Sequence, residues 1–171
     1  MKKFVSLALI ATSLAVSAQA LILAGSAGYL VDSEEEYLTA RIGHEFKATS
    51  SLSHQGEIEF AYTGSKESGV KANIYPITAN YRLVNTVSEK VSYHFGAGAG
   101  LAISEVSGYG ISDSGSSFTA QGFAGLDYRL SPNVTAQLGA KYIWIDNVKL
   151  FGTSIEVGDD IALSAGISIR F

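Results

Sequence analysis

The 171-residue chain has no cysteine, only two prolines and only one tryptophan. Without cysteine there are no disulfides, no thiolate metal sites and no lipid-modified cysteine behind a leader. After residue 20 no stretch repeats its apolar residues at helical spacing, and no basic tract is present. An acidic chain lacking such a tract is a poor nucleic-acid binder. What is abundant is glycine, with 18, and tyrosine, with nine. That balance favours strands over helices.

The first twenty residues form a separate object. "MKKFVSLALIATSLAVSAQA" sets Lys2 and Lys3 before an apolar run, Phe4 to Val16, that ends at Ala18-Gln19-Ala20. A basic start, a short apolar core and an A-x-A site predict a cleaved signal peptide over 1–20. The apolar core is short for a membrane-spanning helix. The remaining segment, 21–171, is then one domain with ten basic and sixteen acidic side chains, a net charge of −6.

That domain alternates with period two, broken at intervals by Gly, Ser, Asn and Asp. The pattern predicts strands over 21–31, 37–48, 57–63, 70–84, 91–106, 117–130, 134–145 and 161–171. The stretch from Val91 is the cleanest: each odd position to Ile103 is apolar, and the even positions include Gly96, Gly98 and Gly100. "TSSLSHQG" is read as a turn, and 32–36, 64–69, 106–116 and 146–159 as loops. Pro76 falls inside a strand, where it removes a ladder donor and predicts a bulge or a strand end. Eight segments without helical crossovers pair antiparallel.

A soluble sandwich and a membrane barrel both alternate, so the polar face decides between them. Here it carries small residues and isolated charges of both signs, a composition suited to a narrow eight-stranded lumen. Aromatics gather near strand ends on the apolar face: Phe60, Tyr62, Tyr81, Tyr93, Phe95, Tyr128, Tyr142, Trp144 and Phe171. Rings there suit the headgroup level. Strands of about ten residues match a tilted membrane crossing. The fold class expected is all-β, an eight-stranded antiparallel up-and-down transmembrane β-barrel.

Lumen charges in so narrow a space must pair, because a lone one is costly. The pattern predicts a polar network of Arg41, Glu45, Glu57, Glu59, Arg82, Arg129 and Lys141 that blocks the bore. Phe123, Ile143 and Ile145 fall on the same inner face and are expected either to fill the interior or to lie above the membrane.

Four stretches, "PITANYRL", "FGAGAGLAI", "GFAGLDYRLSPN" and the terminal "SAGISIRF", resemble the small eight-stranded outer-membrane barrels of Gram-negative bacteria. These are the OmpA-like and OmpX-like proteins and the opacity-type porin-family β-barrel domain. The resemblance implies an outer-membrane location with both termini periplasmic, and lipid and lipopolysaccharide as surroundings. It also implies that Phe171, the last residue of an alternating strand, is the signal read by the barrel-assembly machinery. No periplasmic peptidoglycan-binding domain is expected after Phe171, in contrast to two-domain members.

Barrels of this size include lipid A-modifying enzymes, whose chemistry requires a nucleophile, a base and an oxyanion site. His94 shares a face with Ser92 two residues away, but nucleophilic catalysis also needs an orienting carboxylate and an oxyanion site. Ser92 and His94 begin a strand expected to rise from the periplasmic side. The acidic "GDD" at 158–160 and "SEEE" at 33–36 match no calcium-loop spacing. No catalytic residue, cofactor or metal site is therefore expected. The expected role is structural, an envelope barrel with a largely plugged lumen or a narrow porin-like channel. A lipid A-modifying enzyme and a surface adhesin are the competing readings.

Overall fold

The computed structural model describes residues 21–171, so the signal peptide expected over 1–20 lies outside the described residues. Eight strands close into a barrel: β1 Leu21–Leu30, β2 Glu35–Ala48, β3 Leu52–Glu67, β4 Val70–Thr86, β5 Val91–Gly108, β6 Ile111–Arg129, β7 Val134–Ile145 and β10 Gly158–Arg170. A small hairpin, β8 Val148–Leu150 and β9 Thr153–Ile155, sits in the connection between β7 and β10. Sequential barrel strands pair antiparallel, and β10 returns to β1 in a register running from Ile22↔Arg170 to Leu30↔Ala162. The seam ends where the Phe171 N–H donates to the Leu21 carbonyl at 2.9 Å. Closure leaves no edge strand, as hydrocarbon requires.

The side chains are inside out relative to a soluble protein. Leu101, Leu138 and Leu163 are 58%, 63% and 53% exposed on the outer face, while Thr119, Gln121 and Glu59 are 0%, 4% and 4% exposed within. Outer-face aromatics form two bands. On the side of the termini lie Phe46, Tyr81, Tyr93, Phe95 and Tyr128; on the side of the longer hairpins lie Tyr29, Tyr62, Phe118, Tyr142 and Trp144. Phe46 reaches its band because a bulge between Glu45 and Lys47 displaces it from the ladder. Its ring then packs 6.0 Å from that of Tyr81 and 6.1 Å from that of His54.

Several strands run longer than the sequence pattern indicates. The expected turn over "TSSLSHQG" is confined to Thr49–Ser51, and β3 begins at Leu52 rather than Glu57. The expected loops at 64–69 and 106–116 are mostly ladder, closed by the two-residue turns Ser68-Gly69 and Tyr109-Gly110. Both central residues are left-handed, with φ of 49° and 84° in the first and 51° and 82° in the second. That geometry matches the twist of the flanking strands and needs no further loop. Phe151-Gly152 closes β8–β9 in the same way.

Pro76 produces neither a bulge nor a strand end. Its β5 partner, Ala102, stays in register, while the β3 pairing skips from Phe60↔Ile77 to Thr63↔Ile74. The missing donor thus faces β3, and the ladder resumes in the same register beyond the gap.

The glycines of β5 are a steric requirement of the lumen. A Cβ on Gly96 would lie 2.5 Å from the Phe123 ring, and one on Gly98 would meet the Asn80 amide and lie 2.7 Å from the Ala79 carbonyl. Gly98→Val therefore overpacks the interior, at a cost of about 1–3 kcal/mol. It should lower the fraction of the compact, unboiled gel band and the urea midpoint, whereas Leu138→Val on the outer face should change neither appreciably.

Candidate functional site: a charged septum across the lumen

Six consecutive strands, β2 to β7, send polar side chains into one layer across the lumen. Glu57 on β3 accepts a hydrogen bond from Arg41 Nη1 at 3.3 Å and forms an ion pair with Arg82, whose Nε lies 3.0 Å from Oε1. Glu59, two residues on and so on the same face, holds Lys141 Nζ of β7, with Arg41 Nε at 4.0 Å. Gln121 Nε2 of β6 lies 3.1 Å from Glu59 Oε1 and 2.8 Å from Asn80 Oδ1. From Arg41 the chain continues to Gln137, whose Nε2 donates to Asp127 at 3.0 Å, and Asp127 in turn meets His94 Nδ1 at 2.9 Å. All these residues except Gln137 are buried.

Local sequence explains how so many long side chains fit one level. β1 and β10 contribute only small inward groups there. Ser26 bonds Thr39 at 2.6 Å, and Gly28, Ser164 and Gly166 leave the remaining width free. The charges balance within the layer: Arg41, Arg82 and Lys141 against Glu57, Glu59 and Asp127. Pairing offsets the desolvation that each would otherwise suffer. Arg82 also lies over the Phe123 ring, 5.1 Å from its centroid, and Lys141 over that of Tyr37 at 5.3 Å. Phe123 is thus an interior wall of the septum.

Of the seven residues expected in the network, five meet: Arg41, Glu57, Glu59, Arg82 and Lys141. Glu45 lies nearer the termini, where it accepts from Arg170 Nη2 at 3.1 Å and from Ser53. Arg129 is exposed at the same mouth beside Lys90, and none of the ion pairs among the described residues includes it. The sequence reading left out Asp127, Gln121, Gln137 and His94. Their signal was parity, since Gln121 and Asp127 share the inward parity of β6 with Arg129.

Above and below the septum the lumen opens. On the termini side is a cavity of about 340 Å³ whose lining mixes Arg41, Arg82, Lys90, Arg129 and Arg170 with Glu45, Glu57 and Asp127. On the hairpin side is one of about 400 Å³ that includes Ile143 and Ile145 in its wall. Those isoleucines fill the inner face there and do not face lipid.

Ser92 and His94 do not act together. Ser92 Oγ donates to Thr86 Oγ1 at 3.4 Å, and His94 turns to Asp127 with its ring against Gly125 and Gly139. The carboxylate that a catalytic histidine needs is present, but no nucleophile is bonded to its other nitrogen. No group of three or more metal-ligating side chains occurs among the described residues.

An edgeless barrel with lipid-facing leucines, two aromatic bands and a paired polar interior defines an integral outer-membrane β-barrel. The chain belongs to the outer membrane protein beta-barrel domain family, whose model matches residues 5–171. Similar solved structures include Neisserial surface protein A, with TM-score 0.70, 20% identity, and coverage of 89% of this chain and 97% of that one. Ail, the attachment invasion locus protein of Yersinia pestis, in complex with the heparin analogue sucrose octasulfate, gives TM-score 0.61 and 20% identity over 90% of this chain and 98% of that one. The outer membrane enzyme PagL gives 0.51 and 12% over 88% and 99%. At these identities the likeness is one of fold. No curated protein matches the chain.

Breaking the septum at its centre should be costly. Glu57→Ala leaves two buried guanidinium groups facing each other, a loss of about 3–5 kcal/mol. Arg129→Ala, at the exposed mouth, should stay within about 0.5 kcal/mol of wild type. Urea unfolding in lipid vesicles, followed by gel mobility, measures both.

Proposed function

We propose that this chain is a structural barrel of the Gram-negative outer membrane whose lumen is closed to steady ion flow. The carrying observation is the septum, in which Glu57 and Glu59 join Arg41, Arg82 and Lys141 across the full width of the bore. An ion crossing this layer would have to displace partners that are already desolvated and mutually bonded. A narrow porin-like channel is the second reading, favoured by the open cavities on either side of that layer. In planar lipid bilayers the refolded protein should give no steady conductance, and Glu59→Ala combined with Lys141→Ala should introduce small openings. Large, stable steps from the wild type would reject the closed lumen and favour the channel.

A non-catalytic role accords with the separation of Ser92 from His94, despite the fold shared with PagL. An adhesin that grips sulfated polyanions, as the Ail complex illustrates for that protein, is not supported by charge. The hairpin-side segments 30–36, 64–72, 104–114 and 146–160 carry eleven carboxylates against Lys66, Lys71 and Lys149.

The partners of this reading are the outer-membrane lipids, lipopolysaccharide and the barrel-assembly machinery. Phe171 is exposed beyond the last ladder bond, with its backbone tied to Leu21 and its ring free. A ring so placed is accessible before the seam closes. Phe171→Ser should reduce the folded barrel recovered from outer membranes several-fold while leaving refolding of purified protein into detergent intact; equal recovery would remove the role of Phe171 as an assembly signal.

A further inference from the structure

The hairpin-side cavity differs in kind from the one near the termini. Its wall is apolar, formed by Leu30, Ile74, Ile143 and Ile145, with Tyr37 in its lining. Asp32, Glu35, Asp159 and Asp160 also line it, and no lysine, arginine or histidine does. The hydrogen bonds these carboxylates receive inside the protein come from neutral donors. Asp160 takes the backbone N–H groups of Asp32 at 3.0 Å, Ser33 at 2.9 Å and Ile161 at 2.6 Å. Glu35 takes the Thr63 hydroxyl at 3.1 Å.

Such bonds fix the carboxylates in place without neutralising them. The septum below offers no compensation, since Lys141 and Arg41 are spent on Glu59 and Glu57. Like charges around a mouth with low-dielectric walls focus their field into it and concentrate cations there. A second sign of a ligand site is Tyr37, only 1% exposed, whose hydroxyl has no hydrogen-bond partner. Buried hydroxyls are normally satisfied, and this one belongs to a residue that borders the cavity. A volume of about 400 Å³ is within the range of small-molecule sites.

We propose that this cavity is a binding site for small amphipathic cations, amines or quaternary ammonium compounds that enter from the hairpin side. The apolar body lies against Ile143, Ile145, Ile74 and Leu30, where water is displaced from apolar wall. The cationic head stays among Glu35, Asp32 and Asp160. A simple metal cation finds no three of these carboxylates close enough to ligate it and would leave the isoleucines bare, and a neutral hydrocarbon would leave the carboxylates unpaired. The combination selects molecules that carry both parts.

The test uses the full barrel in lipid nanodiscs and three probes of one shape: phenethylammonium, 2-phenylethanol and 3-phenylpropanoate. Binding is followed by calorimetry against empty nanodiscs. The cation should bind saturably, at least tenfold more tightly than the alcohol, with the carboxylate not binding. Asp32→Asn with Glu35→Gln should weaken the cation about tenfold, and Ile145→Trp, which fills the cavity, should abolish it. Equal affinity for cation and alcohol, no saturation above empty nanodiscs, or unchanged binding to Ile145→Trp would overturn the assignment. If Ile145→Trp does not fold, the comparison of the three probes on wild type decides the matter. Binding is read independently of conductance, so a conducting lumen would sink the closed-septum reading and leave this one standing.

Discussion

Hydrocarbon offers a backbone N–H nothing to bond, and every other feature of this protein is an accommodation to that. Each strand must find two neighbours, so the sheet must close, and β10 must reach β1 with its register intact to Arg170. The same condition governs Pro76. A residue without a donor survives in a middle strand because the ladder to β5 is unbroken on its other side. Beyond the hairpin-side aromatic band the constraint lifts, and there Ser68, Tyr109 and Phe151 accept left-handed backbone in two-residue turns that match the strand twist.

Closure then creates an inverse problem within. An eight-stranded bore is narrow, yet half of every strand points into it. Filling it with leucines would make both faces apolar and erase the distinction between lipid and lumen. The chain instead crosses the bore with paired charges. It makes room for them by stripping the neighbouring strands of side-chain volume: Ser26, Gly28, Ser164 and Gly166 on β1 and β10, Gly96 and Gly98 on β5. Arg82 shows the tension in this solution. Its Nε lies 3.0 Å from Glu57 and its face meets Phe123, but neither Nε nor Nη1 makes a hydrogen bond.

Much of this was legible in one dimension because a period of two maps directly onto two solvents. Parity alone assigned Arg41, Glu57, Glu59, Arg82 and Lys141 to one interior, and it carried the same information for Gln121 and Asp127. What parity lacks is depth. Glu45 and Arg129 share the inward face but lie near the termini-side mouth, where Glu45 meets Arg170 and Arg129 meets solvent. Strand ends were likewise blurred, since "SHQG" at 53–56 and "SDSGS" at 112–116 have the composition of loops and the backbone of ladders. Serine and glycine are tolerated there because those segments have little core to pack.

Local sequence alone settles which side of each strand meets lipid, how many strands close the barrel and that the interior is charged. It could do so because alternation and turn residues act locally, within a few residues of one another. Which carboxylate holds which cation was decided only when the barrel closed. Glu59 and Lys141 are 82 residues apart and reach each other across the bore, at a level set by the stagger of four intervening registers. The same stagger brought Asp32, Glu35 and Asp160 around one apolar hollow, an arrangement that no local pattern contains.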